Sequence, residues 1–213
     1  MLFKNRQDAG TQLAQQLLKK YKNWDGVVYA LPRGGVVVAA EISKSLHAPM
    51  DLLFAHKIGH PSQTEYAIAA VSERGHMIEP SPEIVQSIGY EWLQREKEHQ
   101  INEIKRKRKM YLKESEEISV ENKIAVLVDD GMATGLTMQV GISELKERHP
   151  KKIIVAVPVA PKSVASAIKA LVDDYVGIEI EDDHFLGAVG SYYGDFDQVE
   201  DEEVVKILHS LDQ

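Results

Sequence analysis

The sequence predicts an α/β fold in which a parallel β-sheet carries helices on both faces. Three observations support this prediction. Short runs such as 124–128 consist of Val, Ile, Leu and Ala, a composition typical of strands that are buried on both faces. Segments between these runs place apolar residues at helical spacing. The two kinds of segment alternate along the chain, as they do when helices join parallel strands.

The elements follow in order from the N-terminus. Leu13, Leu17 and Leu18 recur at helical spacing, which indicates an amphipathic first helix. A buried strand then ends at Pro32, and the alternation continues to the C-terminus. The predicted helices cover 9–21, 36–46, 137–147, 163–170 and 203–211, and the predicted strands cover 27–31, 50–55, 124–128, 153–158 and 175–180.

The segment between the second and third strands has a different composition. Residues 59–80 are rich in Gly, Pro, Ser and Thr, which predicts a long loop with a short hairpin around 67–78. A long polar helix follows over 82–113, with a break near Gly89.

An apolar stripe lies on this long helix. Ile101, Ile104 and Tyr111 fall beside Trp92 and Leu93. We therefore expect the helix to pack on a partner surface, which favours a homodimer over a monomer.

The composition restricts the class of protein. Hydrophobic residues make up 44% of the chain and charged residues 27%, as in ordinary globular proteins. No apolar run approaches the roughly 18 to 20 residues that span a bilayer, and the N-terminus lacks the apolar region of a signal peptide. The absence of cysteine excludes disulfides, thiolate metal sites and cysteine nucleophiles. We therefore expect a cytoplasmic protein without a membrane partner.

Charge is unevenly distributed along the chain. The formal net charge of −8 argues against a general nucleic-acid binder. Lys105–Lys109 is nevertheless a continuous basic run, whereas the C-terminal part is rich in Asp and Glu. Either the basic segment is mobile and is held near an anionic ligand, or the two regions are solvated faces of opposite sign.

The most informative motif covers 126–138. A hydrophobic strand ends in Asp129 and Asp130, and a loop with Gly131, Thr134, Gly135 and Thr137 leads into a helix. Glycine amides, threonine hydroxyls and a helix N-terminus together form a cup for a phosphate monoester. The acidic pair can bind vicinal hydroxyls, directly or through a metal, although a helix-capping role is the structural alternative. A phosphate beside a diol suggests a ribose 5-phosphate.

A second loop, Arg33-Gly34-Gly35, also follows a buried strand. A guanidinium before two free amides suits pyrophosphate, whereas a tight turn is the structural alternative. Both loops follow the carboxyl ends of parallel strands, where such sheets bind ligands, so we expect one shared cleft. Lys57, after the second strand, is a weaker candidate for the same anion.

These motifs resemble the type I phosphoribosyltransferases. The segment 126–138 is similar to their signature of strand, acidic pair and small-residue loop, and Arg33-Gly34-Gly35 resembles their pyrophosphate loop. The stretches 156–161 and 185–193 are similar to a broad bacterial group whose acceptor is not assigned. The resemblance implies a core over 1–58 and 119–213 with a C-terminal hood, and a loop and helical insertion over 59–118, within one structural domain.

The resemblance also implies the substrate and the roles of the site residues. Phosphoribosyl pyrophosphate would be the donor, with Asp129, Asp130 and Arg33 as catalytic residues. Mg²⁺ would bridge pyrophosphate and ribose hydroxyls, bound to the two aspartates directly or only through hydroxyls or water. The substrate-binding residues implied are Gly34, Gly35, Lys57, Gly131, Met132, Ala133, Thr134, Gly135, Thr137 and Phe185.

The acceptor is less well defined. Family members that act on 6-oxopurines carry an Asp where this chain has Ala133, which argues against such an acceptor. The general base must then come from elsewhere; Glu65 is a candidate, unless it is only a solvated loop residue. Phe185, next to His184, either stacks on a planar acceptor in the hood or belongs to the core. Tyr192 and Tyr193 are likewise candidates for the core.

The function predicted is a Mg²⁺-dependent phosphoribosyltransferase that acts on a nitrogenous, nucleobase-like acceptor. The alternative is a regulatory protein that binds phosphoribosyl pyrophosphate or a nucleotide and uses its basic helix on RNA. A phosphohydrolase would need an activated water, and no base stands beside Thr134. Arg106 and Arg108 either reach the pyrophosphate or line a solvated face.

Overall fold

The computed structural model describes residues 1–21, 24–113 and 115–211. Its centre is a five-stranded parallel sheet in the order β2-β1-β6-β7-β8, and a three-stranded antiparallel sheet, β3-β4-β5, lies beside it. The strands are β1 Gly26–Ala30, β2 Met50–Leu52, β3 Ala55–His60, β4 Gln63–Ser72, β5 Met77–Ile78, β6 Ile124–Val128, β7 Lys152–Pro161 and β8 Asp174–Ile180. The helices are α1 Arg6–Lys20, α2 Gly34–Leu46, α3 Pro82–Ile88, α4 Tyr90–Leu112, α5 Leu136–Lys146, α6 Lys162–Lys169 and α7 Asp201–Leu211.

Successive residues of the central strands enter two separate hydrophobic cores, one on each face of the parallel sheet. Val126 and Val128 pack with α1, α2 and α7, whereas Ala125 and Leu127 pack with α5 and α6. Side chains alternate across a strand, so burial on both faces explains why 124–128 contains only apolar residues. The predicted α/β fold with helices on both faces is confirmed.

The prediction for residues 50–80 was wrong in part. The predicted strand over 50–55 ends at Leu52, and the chain re-enters strand conformation at Ala55 in the second sheet. The predicted loop over 59–80 is largely β-structure, with a ten-residue strand, β4, whose end forms the predicted hairpin around 67–78 with β5. Alanine is depleted in strands, and the Ala residues at 67, 69 and 70 obscured it. The sheet is stabilised by tertiary packing, because β3 and β4 contact both α4 and α5. The predicted boundary at residue 58 falls within β3, and the domain division itself stays a prediction.

The long polar helix is interrupted as expected. Gly89 has φ of 83° and separates α3 from α4, a conformation that glycine adopts without steric cost. No helix of the described residues is long and apolar enough to cross a membrane.

The apolar stripe of α4 lies on this chain's own core. Leu93, Ile104 and Tyr111 are 1%, 0% and 3% exposed, and Trp92 and Ile101 pack against the same core. The inference that these side chains pack on a partner was therefore wrong. The homodimer loses this support and stays a prediction.

Replacing Ile104 with Ala tests this correction. We expect the free energy of unfolding to fall by about 3 kcal/mol, because a fully buried side chain is truncated. Urea denaturation at two protein concentrations measures the change. A loss that grows on dilution would instead place Ile104 in a subunit interface.

Candidate active site

The two predicted ligand-binding loops are in contact. They follow β1 and β6, which are neighbours in the parallel sheet. A Cβ atom at Gly34 would lie 1.9 Å from Oδ2 of Asp130, and one at Gly35 would lie 2.9 Å from the Val128 carbonyl oxygen. Glycine is therefore required at both positions for the loops to approach this closely. The Pro32–Arg33 peptide bond, at the start of the first loop, is cis.

The adjacent carboxylates of Asp129 and Asp130 have different surroundings. Oδ2 of Asp130 lies 2.8 Å from Nε of Arg6 in an ion pair. Oδ1 of Asp129 accepts the backbone N–H of Asp130 at 2.9 Å. Burial first, and then the charge of Asp130, raise the pKa of Asp129 well above its usual value, while Lys57 opposes the shift. The ion pair with Arg6 balances the charge of Asp130 and thereby weakens its repulsion of Asp129.

Arg6 is a site residue that the sequence did not reveal. Its side chain is 11% exposed, and its Nη1 donates to the Asp197 carbonyl oxygen at 2.7 Å. The guanidinium lies 3.7 Å from the ring centroid of Phe196. It therefore connects the N-terminal helix, the acidic pair and the C-terminal segment. No local pattern in 1–10 signals this role, since it depends on tertiary packing.

The loop 131–135 forms an open cup of backbone donors. Gly131 and Gly135 have φ of 152° and 73°, and a Cβ at Gly131 would lie 2.4 Å from Cγ1 of Val189. No N–H group from Ala133 to Gly135 donates to a residue within the described ranges. The first N–H groups of α5, including that of Thr137, have no partner within the helix. The cup therefore presents several free donors to an anion.

Met132 does not contribute to this cup as predicted. Its side chain is 3% exposed in the core below the loop. Its backbone N–H donates to the Val159 carbonyl oxygen at 3.0 Å. Met132 therefore offers a ligand neither an exposed side chain nor a free N–H.

A cavity of about 400 Å³ adjoins Asp129. Among the predicted residues, Arg33, Lys57, Asp129 and Thr137 line it. His56, Gln100 and Lys107 also line it, and the sequence did not predict them. Arg33, Lys57 and Lys107 come from three separate parts of the chain, so the cavity concentrates positive charge. The remaining lining residues are Leu31, Pro32 and Ala55.

The other basic residues of α4 point elsewhere. Nε of Arg106 donates to Glu103 at 3.0 Å on an exposed surface, and Nη1 of Arg108 lies 3.3 Å from Glu73. Neither arginine lines the cavity, whereas Lys107 between them does. Glu65 is exposed on β4 and is not part of the cavity lining.

Arg33 is held by the acidic start of α7. Its Nη1 lies 3.4 Å from Asp201 and 3.6 Å from Glu200. Tyr111 of α4 donates its hydroxyl to the same Asp201 oxygen. This hydrogen bond, together with Arg33, keeps the pKa of Asp201 below its usual value although burial opposes it. The acidic C-terminal region thus positions a cavity residue.

The predicted hood has a mainly structural role around the acidic pair. Tyr193 donates its hydroxyl to the Asp130 carbonyl oxygen at 2.7 Å. Tyr192 and Tyr193 are 6% and 5% exposed, as the core interpretation expects. The ring of Phe185 is half-buried, 5.6 Å from that of Tyr192, and does not line the cavity. His184 is exposed.

The acidic pair fits a metal only in combination with a ligand. Within 1–21, 24–113 and 115–211, no cluster of three or more His, Asp or Glu side chains could enclose a metal ion. Asp130 is paired with Arg6. Mg²⁺ commonly binds one or two carboxylates together with substrate phosphates and water. The residues therefore fit a Mg²⁺ ion that enters with a phosphorylated substrate and is held through Asp129.

Comparison with known proteins decides the family. The sequence profile of the phosphoribosyl transferase domain matches residues 2–193. The chain belongs to the phosphoribosyl transferase family. A relative from Mycobacterium tuberculosis H37Rv, which carries a provisional phosphoribosyl transferase name, is 35% identical over 209 residues. The match covers 97% of this chain and 46% of the relative, so the chain spans about half the length of the curated relatives it matches.

A solved structure shows the same fold as this member of the phosphoribosyl transferase family. The crystal structure of TT1426 from Thermus thermophilus is 34% identical, has a TM-score of 0.79 and covers 99% of both chains. A purine phosphoribosyltransferase from Pyrococcus horikoshii is 20% identical with a TM-score of 0.44, covering 81% of this chain and 80% of that one. The second similarity is too weak to assign an acceptor.

Proposed function

We propose that the protein is a Mg²⁺-dependent phosphoribosyltransferase. It transfers phosphoribose between phosphoribosyl pyrophosphate and a nitrogenous acceptor, for which nucleobase-like rings are the first candidates. One observation supports this above all: the acidic pair lies between a cup of free N–H groups and a cavity with three cationic side chains. The acidic pair suits the ribose hydroxyls, the N–H groups suit the 5-phosphate, and the cationic cavity suits the pyrophosphate of one donor molecule.

Each part of the donor has a group suited to bind it. Free N–H groups of 133–135 and of the first turn of α5 would bind the 5-phosphate. Arg33, Lys57 and Lys107 would bind the pyrophosphate, and Arg33 would exchange its acidic partners on α7 for phosphate oxygens. Asp129 would accept hydrogen bonds from the ribose hydroxyls, while Asp130 stays paired with Arg6.

The charges of the site oppose those that develop during transfer. Breaking the bond between ribose C1 and pyrophosphate leaves positive charge on the ribose ring and negative charge on the leaving group. The carboxylate of Asp129, which would be ionised once Mg²⁺ and the cavity cations balance its charge, would stabilise the first, and the cavity cations would stabilise the second. Mg²⁺ held through Asp129 and the donor would neutralise further charge on the pyrophosphate. The low exposure of the acidic pair strengthens these interactions, because water screens them less.

The regulatory alternative gains little from the basic helix. Arg106 and Arg108 each pair with a glutamate, and Lys107 lines the cavity. The run Lys105–Lys109 is therefore not a continuous free basic face of the kind that binds RNA phosphates.

Pyrophosphate release tests the proposal directly. The protein is incubated with phosphoribosyl pyrophosphate, Mg²⁺ and a panel of purine, pyrimidine and pyridine bases. We expect acceptor-dependent release of pyrophosphate with at least one base, and none after chelation of the metal. Tight binding of the donor without turnover on any acceptor would favour the regulatory function. No binding of the donor would overturn both.

A further inference from the structure

His56 occupies a distinctive position in the cavity. It lies on β3 next to Lys57, is partly buried and lines the space that Arg33 and Lys107 also line. It is the one imidazole in the lining of this cavity. Unlike the three cations, it can change its charge near neutral pH.

A hydrogen-bond chain on α4 sets the tautomer of His56. Nε2 of Gln100 donates to Oε1 of Glu96 at 2.7 Å. Because an ionised carboxylate only accepts, the amide oxygen of Gln100 must face the other way, towards His56. Nδ1 of His56 lies 3.0 Å from that oxygen. Nδ1 therefore carries the hydrogen and donates it.

Nε2 of His56 is consequently the nitrogen that can gain or lose a proton. It forms no hydrogen bond to any residue that the structure describes. It is also accessible to solvent rather than enclosed by protein atoms. The Gln100 contact persists in both charge states, since Nδ1 donates in each. A proton added at Nε2 thus creates a new donor without disturbing the existing bond.

The surroundings favour the neutral form of His56 while no anion is bound. Burial lowers its pKa most, and Lys107 and Arg106 lower it further, while Gln100 and Glu103 oppose them. The charged groups near the ring are Glu103, Arg106 and Lys107 of α4, and Arg33, Lys57 and Asp129 line the same cavity. On β4, the residue paired with His56 is the apolar Val71.

We propose that His56 takes up a proton from solvent when pyrophosphate enters this cavity, and that it then donates Nε2–H to a phosphate oxygen. The inference rests on the proposed function, because it assigns pyrophosphate to this cavity. A polyanion opposes the field of the cationic side chains, so it favours the imidazolium that the empty cavity disfavours. A neutral Nε2 would instead direct its lone pair at a phosphate oxygen.

The sign of the pH dependence follows. Because the pKa of His56 is higher in the complex than in the free protein, binding takes up protons between these two pKa values. The contribution of His56 to pyrophosphate affinity is therefore fully present below the free pKa and is lost as the pH rises through the pKa of the complex.

Calorimetry with inorganic pyrophosphate and Mg²⁺ tests the proposal. Heats measured in buffers of different ionisation enthalpy give the number of protons taken up per binding event. Wild type is compared with His56→Gln and His56→Arg. Titration of pyrophosphate itself is common to all three, so differences report on His56. We expect wild type to take up more protons than either variant, with affinity reduced roughly 10-fold in His56→Gln but retained in His56→Arg.

Direct observation of the imidazole makes the test independent of variant folding. Among the eight histidines, the resonance missing from the His56→Gln spectrum belongs to His56. Its pKa in wild type should rise when pyrophosphate is added. Binding with equal proton uptake in wild type and His56→Gln, or with an unchanged His56 pKa, would overturn the inference about His56 and leave the proposed function intact. Absence of pyrophosphate binding in wild type would overturn the proposed function as well.

Discussion

Replacing Asp129 with Asn is expected to reduce phosphoribosyl transfer by about 100- to 1000-fold, the range found when one preorganised charge-stabilising group is removed. The amide is nearly isosteric, and its oxygen can still accept the N–H of Asp130. What is lost is the negative charge beside the ribose ring. Steady-state kinetics with the acceptor identified by pyrophosphate release measures the effect.

The division of this loss between kcat and KM shows what Asp129 does. A carboxylate that stabilises charge only during bond breaking lowers kcat with little change in KM. A carboxylate that also holds the ribose hydroxyls and Mg²⁺ raises KM in addition. We expect both effects, because the same group is proposed for both tasks.

A matched control separates this role from a general effect of charge. Asp25 is exposed and precedes β1, at the edge of the sheet opposite the cavity. Asp25→Asn removes the same charge and should leave the kinetics unchanged. Wild-type rates in Asp129→Asn would contradict the assignment, and equal losses in both variants would point to charge alone.

The close approach of the two predicted ligand-binding loops could be predicted from the sequence because it follows from the topology of the sheet. Runs of apolar residues identify parallel strands, and the carboxyl ends of such strands share one edge of the sheet. Asp129 and Arg33 needed no further information to be placed near the same cavity. Gly34 contributes to this close approach, since its lack of a side chain allows the contact with Asp130.

The residues that form the walls of the cavity could not be predicted from the sequence in the same way. His56 and Gln100 are 44 positions apart in the chain, and they meet only because α4 packs on the second sheet. The sequence left open whether Arg106 and Arg108 reach the pyrophosphate or line a solvated face, and it did not consider Lys107, which the helix phase directs to the cavity. A run of like charges does not itself show which member faces inward. That choice depends on Leu93 and Ile104, whose burial fixes the rotation of α4.

The second sheet and α4 thus both contribute to the lining of the cavity. The sheet supplies His56 and Lys57, and the helix supplies Gln100 and Lys107. Tyr111 on the same helix shares Asp201 with Arg33. Movement of α4 would therefore change the position of several proposed pyrophosphate contacts together.

Replacing Arg6 with Met is expected to lower the free energy of unfolding by about 3–5 kcal/mol, the cost of breaking a buried ion pair from one side. Asp130 would lose its cation while lying beside Asp129, and the Asp197 carbonyl oxygen would lose a donor. Urea denaturation measures the loss. Arg95→Met is the control, because Arg95 and Glu91 form an exposed pair at 4.0 Å, which contributes less than about 0.5 kcal/mol.

The double variant Arg6→Met with Asp130→Asn distinguishes charge balance from packing. If Arg6 acts by neutralising Asp130, removal of both charges should recover a substantial part of the stability lost in Arg6→Met. If Arg6 acts mainly by packing on Phe196, the two changes should add, and the double variant would be the least stable. We expect recovery, because an uncompensated carboxylate beside the buried Asp129 costs more than a lost contact with an aromatic ring.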